Sequence, residues 1–334
     1  MVTIKDVAER AEVSISTISR VLNGTANVAA DKRDAVLKAV AELDYQPSTI
    51  ARALVGHRTG MIGLLVNNFA DPFFGTLIRG VEQQAAQYGM QVIATEGHHQ
   101  AEQEEAALRA LLARRCDALI IHALALSDWQ LAGLTSHCPS IVVNRSIPEL
   151  ESHCLWFDND QAGYLAAQYL LGKGHSRIGW IGRDEDIADN RDRFTGFCRA
   201  LQESGIPRQN APVESAPATA AGGYQATSRL LTKHPDLTAI QAYNDAMAAG
   251  CLRALHERNL RLPDQFSVVG VDDVYLGEYL YPQLTTIRYP IETIGQQAVH
   301  RIHALLTNSA FDADHCFKPE LIERGSVFDI SRKV

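Results

Sequence analysis

The chain has 334 residues, 46% hydrophobic and 21% charged, with a formal net charge of −8. At roughly 150 residues per domain this is enough for two or three domains with substantial cores, which excludes a disordered or fibrous protein. Residues 1–60 carry eight Lys/Arg and seven Asp/Glu, and the remainder carries 23 and 32. The acidic body repels a polyanion, so any nucleic-acid contact is expected in the first sixty residues.

The first 45 residues read as three short helices. Thr3 caps a helix with Ile4, Val7, Ala8 and Ala11 at helical spacing, and Asp6 completes part of a capping box. Glu12-Val13 breaks the pattern. Ser14 caps a second helix through Ile15, Ile18, Val21 and Leu22, which stops at Asn23-Gly24. A third helix begins near Asp31 and carries Val36, Leu37, Val40 and Leu43 on one face. Two helices joined by a turn of about four residues form a helix-turn-helix, whose second helix enters the major groove. Ile15, Ser16 and Arg20 point toward base edges: Arg pairs bidentately with guanine, Ser bonds several bases, and Ile packs on a thymine methyl. Thr17, Ser19 and Asn23 suit phosphate contacts. The bland alternatives are a bundle-core role for Ile15 and a solvated charge for Arg20.

Residues 48–58 read as a short helix bounded by Pro47 and Gly56, too short to stand alone in water. From Met61 strands alternate with amphipathic helices. The strands are Ile62–Val66, Gln91–Ala94, Ala118–His122, Ile141–Val143, Arg177–Ile181, Ala239–Tyr243 and Ser267–Val271. The helices between them run over about 73–88, 102–113 and 162–171, and residues 208–223, rich in Ala, Pro and Gly, read as a loop. This rhythm predicts two parallel sheets covered by helices, with ligands at the carboxyl ends of the strands.

No apolar run approaches the roughly 18 residues of a bilayer span, so no membrane association is expected. The start, Met1-Val-Thr-Ile-Lys-Asp, lacks a basic stretch followed by an apolar one; no secretory signal is read, and a cytoplasmic location is expected. The six cysteines, Cys116, Cys138, Cys154, Cys198, Cys251 and Cys316, form no C-x-x-C pair and read as inert thiols. Gly172-Lys-Gly-His lacks the upstream glycine of a phosphate loop. His98 and His99 lie near Glu96, but neighbours on a loop diverge, so no metal is expected. No Ser-His-Asp arrangement has catalytic spacing, and neither an enzyme nor a cofactor is read.

The segment Thr3-Ile-Lys-Asp-Val-Ala through Val13-Ser-Ile-Ser-Thr-Ile-Ser-Arg20-Val-Leu-Asn23 resembles the headpiece of the LacI/GalR transcription regulators. The likeness continues through Tyr45-Gln-Pro47, Ala51-Arg-Ala-Leu54, Asp71-Pro-Phe-Phe74, Gly174-His175-Ser-Arg-Ile178, Tyr243-Asn-Asp245, Val271-Asp-Asp273 and Leu284-Thr-Thr-Ile287. It spans nearly the whole chain in the family's order. Phe73-Phe74-Gly, Arg115-Cys116-Asp-Ala-Leu, Tyr243–Gly250 and Ile287–Ile291 look most like the galactose-repressor branch.

The resemblance implies an all-α helix-turn-helix headpiece over 1–46 and a hinge over 47–60. It implies a two-lobed α/β body like the periplasmic binding proteins over 61–334. The first lobe would take about 61–158 and 289–319, the second about 159–288 and 320–334. It implies a homodimeric repressor of carbohydrate-utilisation genes that reads double-stranded, pseudo-palindromic operator DNA with Thr3, Lys5, Ser14, Ile15, Ser16, Thr17, Ser19, Arg20 and Asn23. Leu54 would be the wedge in the minor groove, or else pack on the body. A small sugar, galactose-like, would bind between the lobes at Phe74, His98, Asn144, Phe157, Arg193, Asn244 and Asp272. Trp156 and Phe157 alternate on a strand, so only one faces the cleft. Asp245 and Asp273 read as helix caps. Residues 216–221 are small and offer no aromatic, which favours a monosaccharide over a disaccharide. The end, Arg332-Lys-Val, carries no heptad tail, so no tetramer through a C-terminal coiled coil is expected. A regulator answering to a nucleoside or purine, and a sugar-binding protein without a DNA role, are the alternatives.

Overall fold

The computed structural model describes residues 2–22, 28–45, 58–311 and 315–332. The chain divides into two units, Met1–Thr59 and Gly60–Val334. In the first, α1 (Ile4–Arg10), α2 (Ile15–Leu22) and α3 (Ala30–Glu42) pack around Val7, Ala11, Ile18, Val36, Ala39 and Tyr45. At the start of α1, Thr3 donates both its N–H (2.7 Å) and its hydroxyl (2.8 Å) to Asp6 Oδ2. Those bonds hold the Asp6 carboxyl below its usual range. The turn to α2 passes through Glu12 at a left-handed φ of 53°, and Ser14 Oγ then accepts the Thr17 N–H at 3.2 Å. An Arg10–Glu42 ion pair ties α1 to α3. Leu37, expected on the packed face of α3, is 51% exposed. Val36, Val40 and Leu43 follow the i, i+4, i+7 stripe, and Leu37 stands about 100° past Val36 around the helix axis.

The second unit contains two six-stranded sheets. Strands β1 (Met61–Val66), β2 (Gln91–Glu96), β3 (Ala118–Ile121), β4 (Ser140–Val143), β5 (Cys154–Phe157) and β11 (Cys316–Phe317) form the first, in the order β11-β5-β4-β3-β1-β2. Strands β6 (Ile178–Arg183), β7 (Val213–Ala216), β8 (Ala239–Ala242), β9 (Ser267–Asp272), β10 (Thr285–Arg288) and β12 (Glu320–Ile322) form the second, in the order β12-β10-β9-β8-β6-β7. Every pairing is parallel except β10 with β12. The central strands are buried along their length, as expected when helices cover both faces. The chain passes between the lobes three times, after β5, after β10 and between β11 and β12.

The covering helices are α4 (Pro72–Gln87), α5 (Ala101–Ala113), α6 (Asp128–Thr135) and α11 (Ile291–Thr307) on the first lobe. On the second they are α7 (Asn159–Gly172), α8 (Ala188–Glu203), α9 (Ala220–Lys233) and α10 (Asp245–Glu257). Residues 208–223, read as a loop, instead hold a 3-10 turn at Arg208–Asn210, the edge strand β7 and the first turn of α9. Their glycines serve close packing: a Cβ on Gly222 would lie 2.0 Å from Pro217 O, and one on Gly223 2.1 Å from Met247 O. None of the six cysteines is joined in a disulfide. Among the described residues no helix is long and apolar enough to cross a membrane.

Candidate functional site

In both lobes strand order reverses beside β1 and beside β6, the switch points where open α/β sheets hold ligands. The carboxyl ends of the strands converge on one cleft of about 420 Å³. From the first lobe come Asn67 after β1, His98 and His99 after β2, His122 after β3 and Asn144 after β4. From the second come Arg183 at the end of β6, Pro217 and Ala218 after β7, Tyr243 and Asn244 after β8, and Asp272 ending β9. A cavity of this size, polar at both walls and apolar at Phe73, Phe74 and Leu124, has room for a small polar molecule such as a sugar.

The floor is built around Arg193, buried in α8. It donates to Asn159 Oδ1 at 2.8 Å and to the Tyr243 carbonyl at 2.7 Å, and stands 3.5 Å from Asp272 Oδ1. Its position depends on two glycines. A Cβ on Gly163 would lie 1.9 Å from Arg193 O, and one on Gly196 1.8 Å from Asp160 O, so α7 and α8 meet backbone to backbone. Asp272 has φ 122° and Asp273 φ 58°, a left-handed pair that side chains rarely adopt. Asp273 is held by Arg288 (2.8 Å) and Arg324 (2.6 Å) rather than capping a helix. Burial pushes the Asp272 carboxyl well above its ordinary range, and Arg193 opposes that shift.

On the opposite wall Asn144 Oδ1 accepts the Tyr289 hydroxyl at 2.7 Å, and its amide lies 3.4 Å from His122 Nε2. His122 packs edge-on against Phe74 at 4.8 Å. Burial lowers its pKa to about 3, so its ring is neutral at physiological pH. Glu104 accepts backbone N–H groups of Leu124, Ala125 and Leu126 and fixes the loop that follows His122. His98 and His99 do diverge: His98 is half-exposed beside Glu96, and His99 is buried beside Glu104. Among the described residues no group of three or more His, Cys, Asp or Glu has metal-holding geometry.

Asn67 Oδ1, His99 Nδ1, His122 Nδ1, Asp189 Oδ1 and Asp272 Oδ1 are buried without a hydrogen-bond partner. All five belong to residues that line the cleft. Buried polar atoms without a partner are costly, and a polyhydroxyl ligand supplies donors to the three oxygens among them, Asn67 Oδ1, Asp189 Oδ1 and Asp272 Oδ1.

The structure brings Phe74, His98, Asn144, Arg193, Asn244 and Asp272 to this cleft. It does not bring Phe157, whose ring is buried against Tyr289 at 4.0 Å, behind the lining. Asn244, rather than Asp245, caps α10, accepting the Met247 N–H at 2.9 Å. Asp245 turns inward to Thr286 Oγ1 (2.6 Å) and the Val274 N–H (3.0 Å), and burial raises its pKa to about 7. Asp71, Arg183, Glu185, Asp189 and Tyr243 also line the cleft and were not singled out from sequence. Asn67, His122 and Tyr243 stand at strand carboxyl ends, a signal available beforehand; Asp189 sits in the first turn of a helix with no such marker.

In the first unit Ile15 is 44% exposed at the start of α2, while Ile18 is fully buried. The bundle-core alternative for Ile15 therefore does not hold. Thr3, Lys5, Ser14, Ser16 and Arg20 are exposed, and Thr17 and Ser19 half-buried. Asn23 and Leu54 lie outside the described residues, as does most of the segment 47–60.

Comparison with known proteins agrees with this layout. The family described as "Bacterial regulatory proteins, lacI family" matches residues 3–48, and "Periplasmic binding proteins and sugar binding domain of LacI family" matches 59–315. The regulator GalS of Salmonella typhimurium is 39% identical over 98% of this chain and 97% of its own length. The regulator GalR of Escherichia coli K12 is 38% identical over 98% and 96%. A crystal structure of the Lac repressor dimer bound to operator and an anti-inducer superposes with a TM-score of 0.87 at 29% identity, covering 98% of this chain and 99% of that one.

Proposed function

The chain belongs to the LacI family of bacterial regulatory proteins, and from that premise we propose the following function. It is a cytoplasmic homodimeric transcriptional repressor whose operator affinity is set by a small sugar held between its two lobes. Residues 1–46 form the DNA-reading headpiece, 47–60 the hinge that carries Leu54 into the minor groove, and 61–334 the effector and dimerisation body. Ile15, Ser16 and Arg20 read bases, while Thr3, Lys5, Ser14, Thr17, Ser19 and Asn23 hold the backbone.

The observation that carries the effector reading is the set of buried oxygens without a hydrogen-bond partner, Asn67 Oδ1, Asp189 Oδ1 and Asp272 Oδ1, on residues lining a cleft of about 420 Å³. A galactose-like hexose supplies hydroxyl donors to Asp272, Asn144 and Asn244 and lays an apolar face toward Phe74. Phe157 supports the wall through Tyr289. By linkage, the sugar changes operator affinity only as far as it prefers one lobe arrangement over the other.

Calorimetry against hexoses, glycosides and nucleosides tests the reading. A hexose binding at one site per chain, lost in Asp272→Asn, supports it. A nucleoside binding in place of every sugar overturns the effector class, and the absence of operator binding overturns the repressor.

A further inference from the structure

The cleft is lined by the N-termini of four helices, the places where a phosphate or carboxylate is ordinarily held. The start of α8 has no side-chain cap but carries Asp189 in its first turn, and the other three are capped by their own side chains. Asp71 Oδ1 accepts the Phe73 N–H of α4 at 2.9 Å, Thr219 Oγ1 the Gly222 N–H of α9 at 3.1 Å, and Asn244 Oδ1 the Met247 N–H of α10 at 2.9 Å. At α4 the cap is itself a carboxylate. The two arginines of the cleft are also engaged. Arg183 Nε donates to Glu185 at 2.8 Å, and Arg193 is turned to Asn159 and the Tyr243 carbonyl.

Four carboxylates line this space: Glu185 and Asp272 pair with Arg183 and Arg193, and the other two face it from opposite lobes. Asp71 stands on the first and Asp189 on the second, and neither has a lysine or arginine within ion-pair distance among the described residues. Asp189 is 95% buried. Its Oδ2 accepts the Tyr243 hydroxyl at 2.8 Å, and its Oδ1 has no hydrogen-bond partner. In a site partly screened from water, such carboxylates repel an anion strongly. They accept hydroxyl or ammonium donors.

We propose that the cleft is a charge filter, admitting uncharged and ammonium-bearing polyols and rejecting phosphorylated or carboxylated ones, with Asp71 and Asp189 as the residues that impose the selection. This rests on the sugar-binding reading above and adds to it the charge class of the ligand. Asn at position 71 keeps a capping oxygen for α4, and Asn at 189 keeps an acceptor, so Asp71→Asn and Asp189→Asn remove charge while conserving shape.

The test is calorimetry on the full chain with D-galactose, D-galactosamine, D-galacturonate and D-galactose 6-phosphate. The wild type is expected to bind galactose and galactosamine, and to bind each anion at least about tenfold more weakly. Galacturonate is close to galactose in size, which separates charge from bulk. Asp71→Asn or Asp189→Asn is expected to narrow the galactose-to-galacturonate ratio by about threefold or more. Either anion binding the wild type as tightly as galactose overturns the filter and leaves the sugar-cleft reading standing. So does an unchanged ratio in both variants, since exclusion is then steric. No binding of any of the four overturns the galactose-like reading and the filter with it.

Discussion

Arg20 stands exposed near the end of α2, on a helix whose apolar side is anchored by Ile18. If it bonds guanine bidentately, Arg20→Ala costs about 1–3 kcal/mol on operator DNA and much less on random DNA. Equal losses on both, by fluorescence anisotropy, contradict base reading. Asp272→Asn is expected to keep operator binding while abolishing the response to sugar. His122 gives a pH signature. Its pKa falls from 6.5 unfolded to about 3 folded, so the unfolded chain binds the extra proton between those values. Stability from this group is complete above pH 6.5 and lost as pH falls toward 3. Denaturant unfolding at pH 7.5 and pH 5 should show the wild type losing about 2 kcal/mol more than His122→Gln; identical losses contradict the assignment. At this scale the sequence was legible where a polar residue follows an apolar strand, as with Asn144, Asn244 and Asp272. It was not legible at Asp71 and Asp189, which reach the cleft from helix starts. Nor did it show that Phe157 stacks behind Tyr289 instead of facing a ligand.

The elements follow from hydrophobic periodicity more reliably than from composition. Alternation of apolar runs with helical stripes predicts both sheets, because buried parallel strands read as continuous Val, Ile and Leu. Composition misleads at 208–223, where small residues that resemble a loop are what let α9 approach Pro217 and α10. The same physics makes Gly196 and Gly163 the joint between α7 and α8. Gly196→Ala places a methyl against the Asp160 carbonyl and is expected to destabilise the body by about 1–3 kcal/mol, or more if the helices cannot part. Because the displaced helix carries Arg193, sugar affinity should fall along with the unfolding midpoint. An unchanged midpoint contradicts the close contact.

Over the whole molecule, charge divides the labour. The acidic body is unsuited to a polyanion, so DNA contact falls to the first sixty residues, and operator affinity should fall steeply with salt. The chain passes between the lobes three times, and Asp273 is ion-paired beside two of those passages. It pairs with Arg288, just before the passage into α11, and with Arg324, shortly after the passage into β12. A ligand bound at the neighbouring Asp272, as proposed, would therefore act beside the strands that join the lobes. The most direct test of the whole account is one titration: the full chain against fluorescent DNA from upstream of its own operon, with and without saturating D-galactose. The account predicts salt-dependent, saturable binding whose Kd shifts by about fivefold or more with the sugar. Binding that is absent, or a Kd that stays fixed while calorimetry shows the cleft occupied, would contradict it.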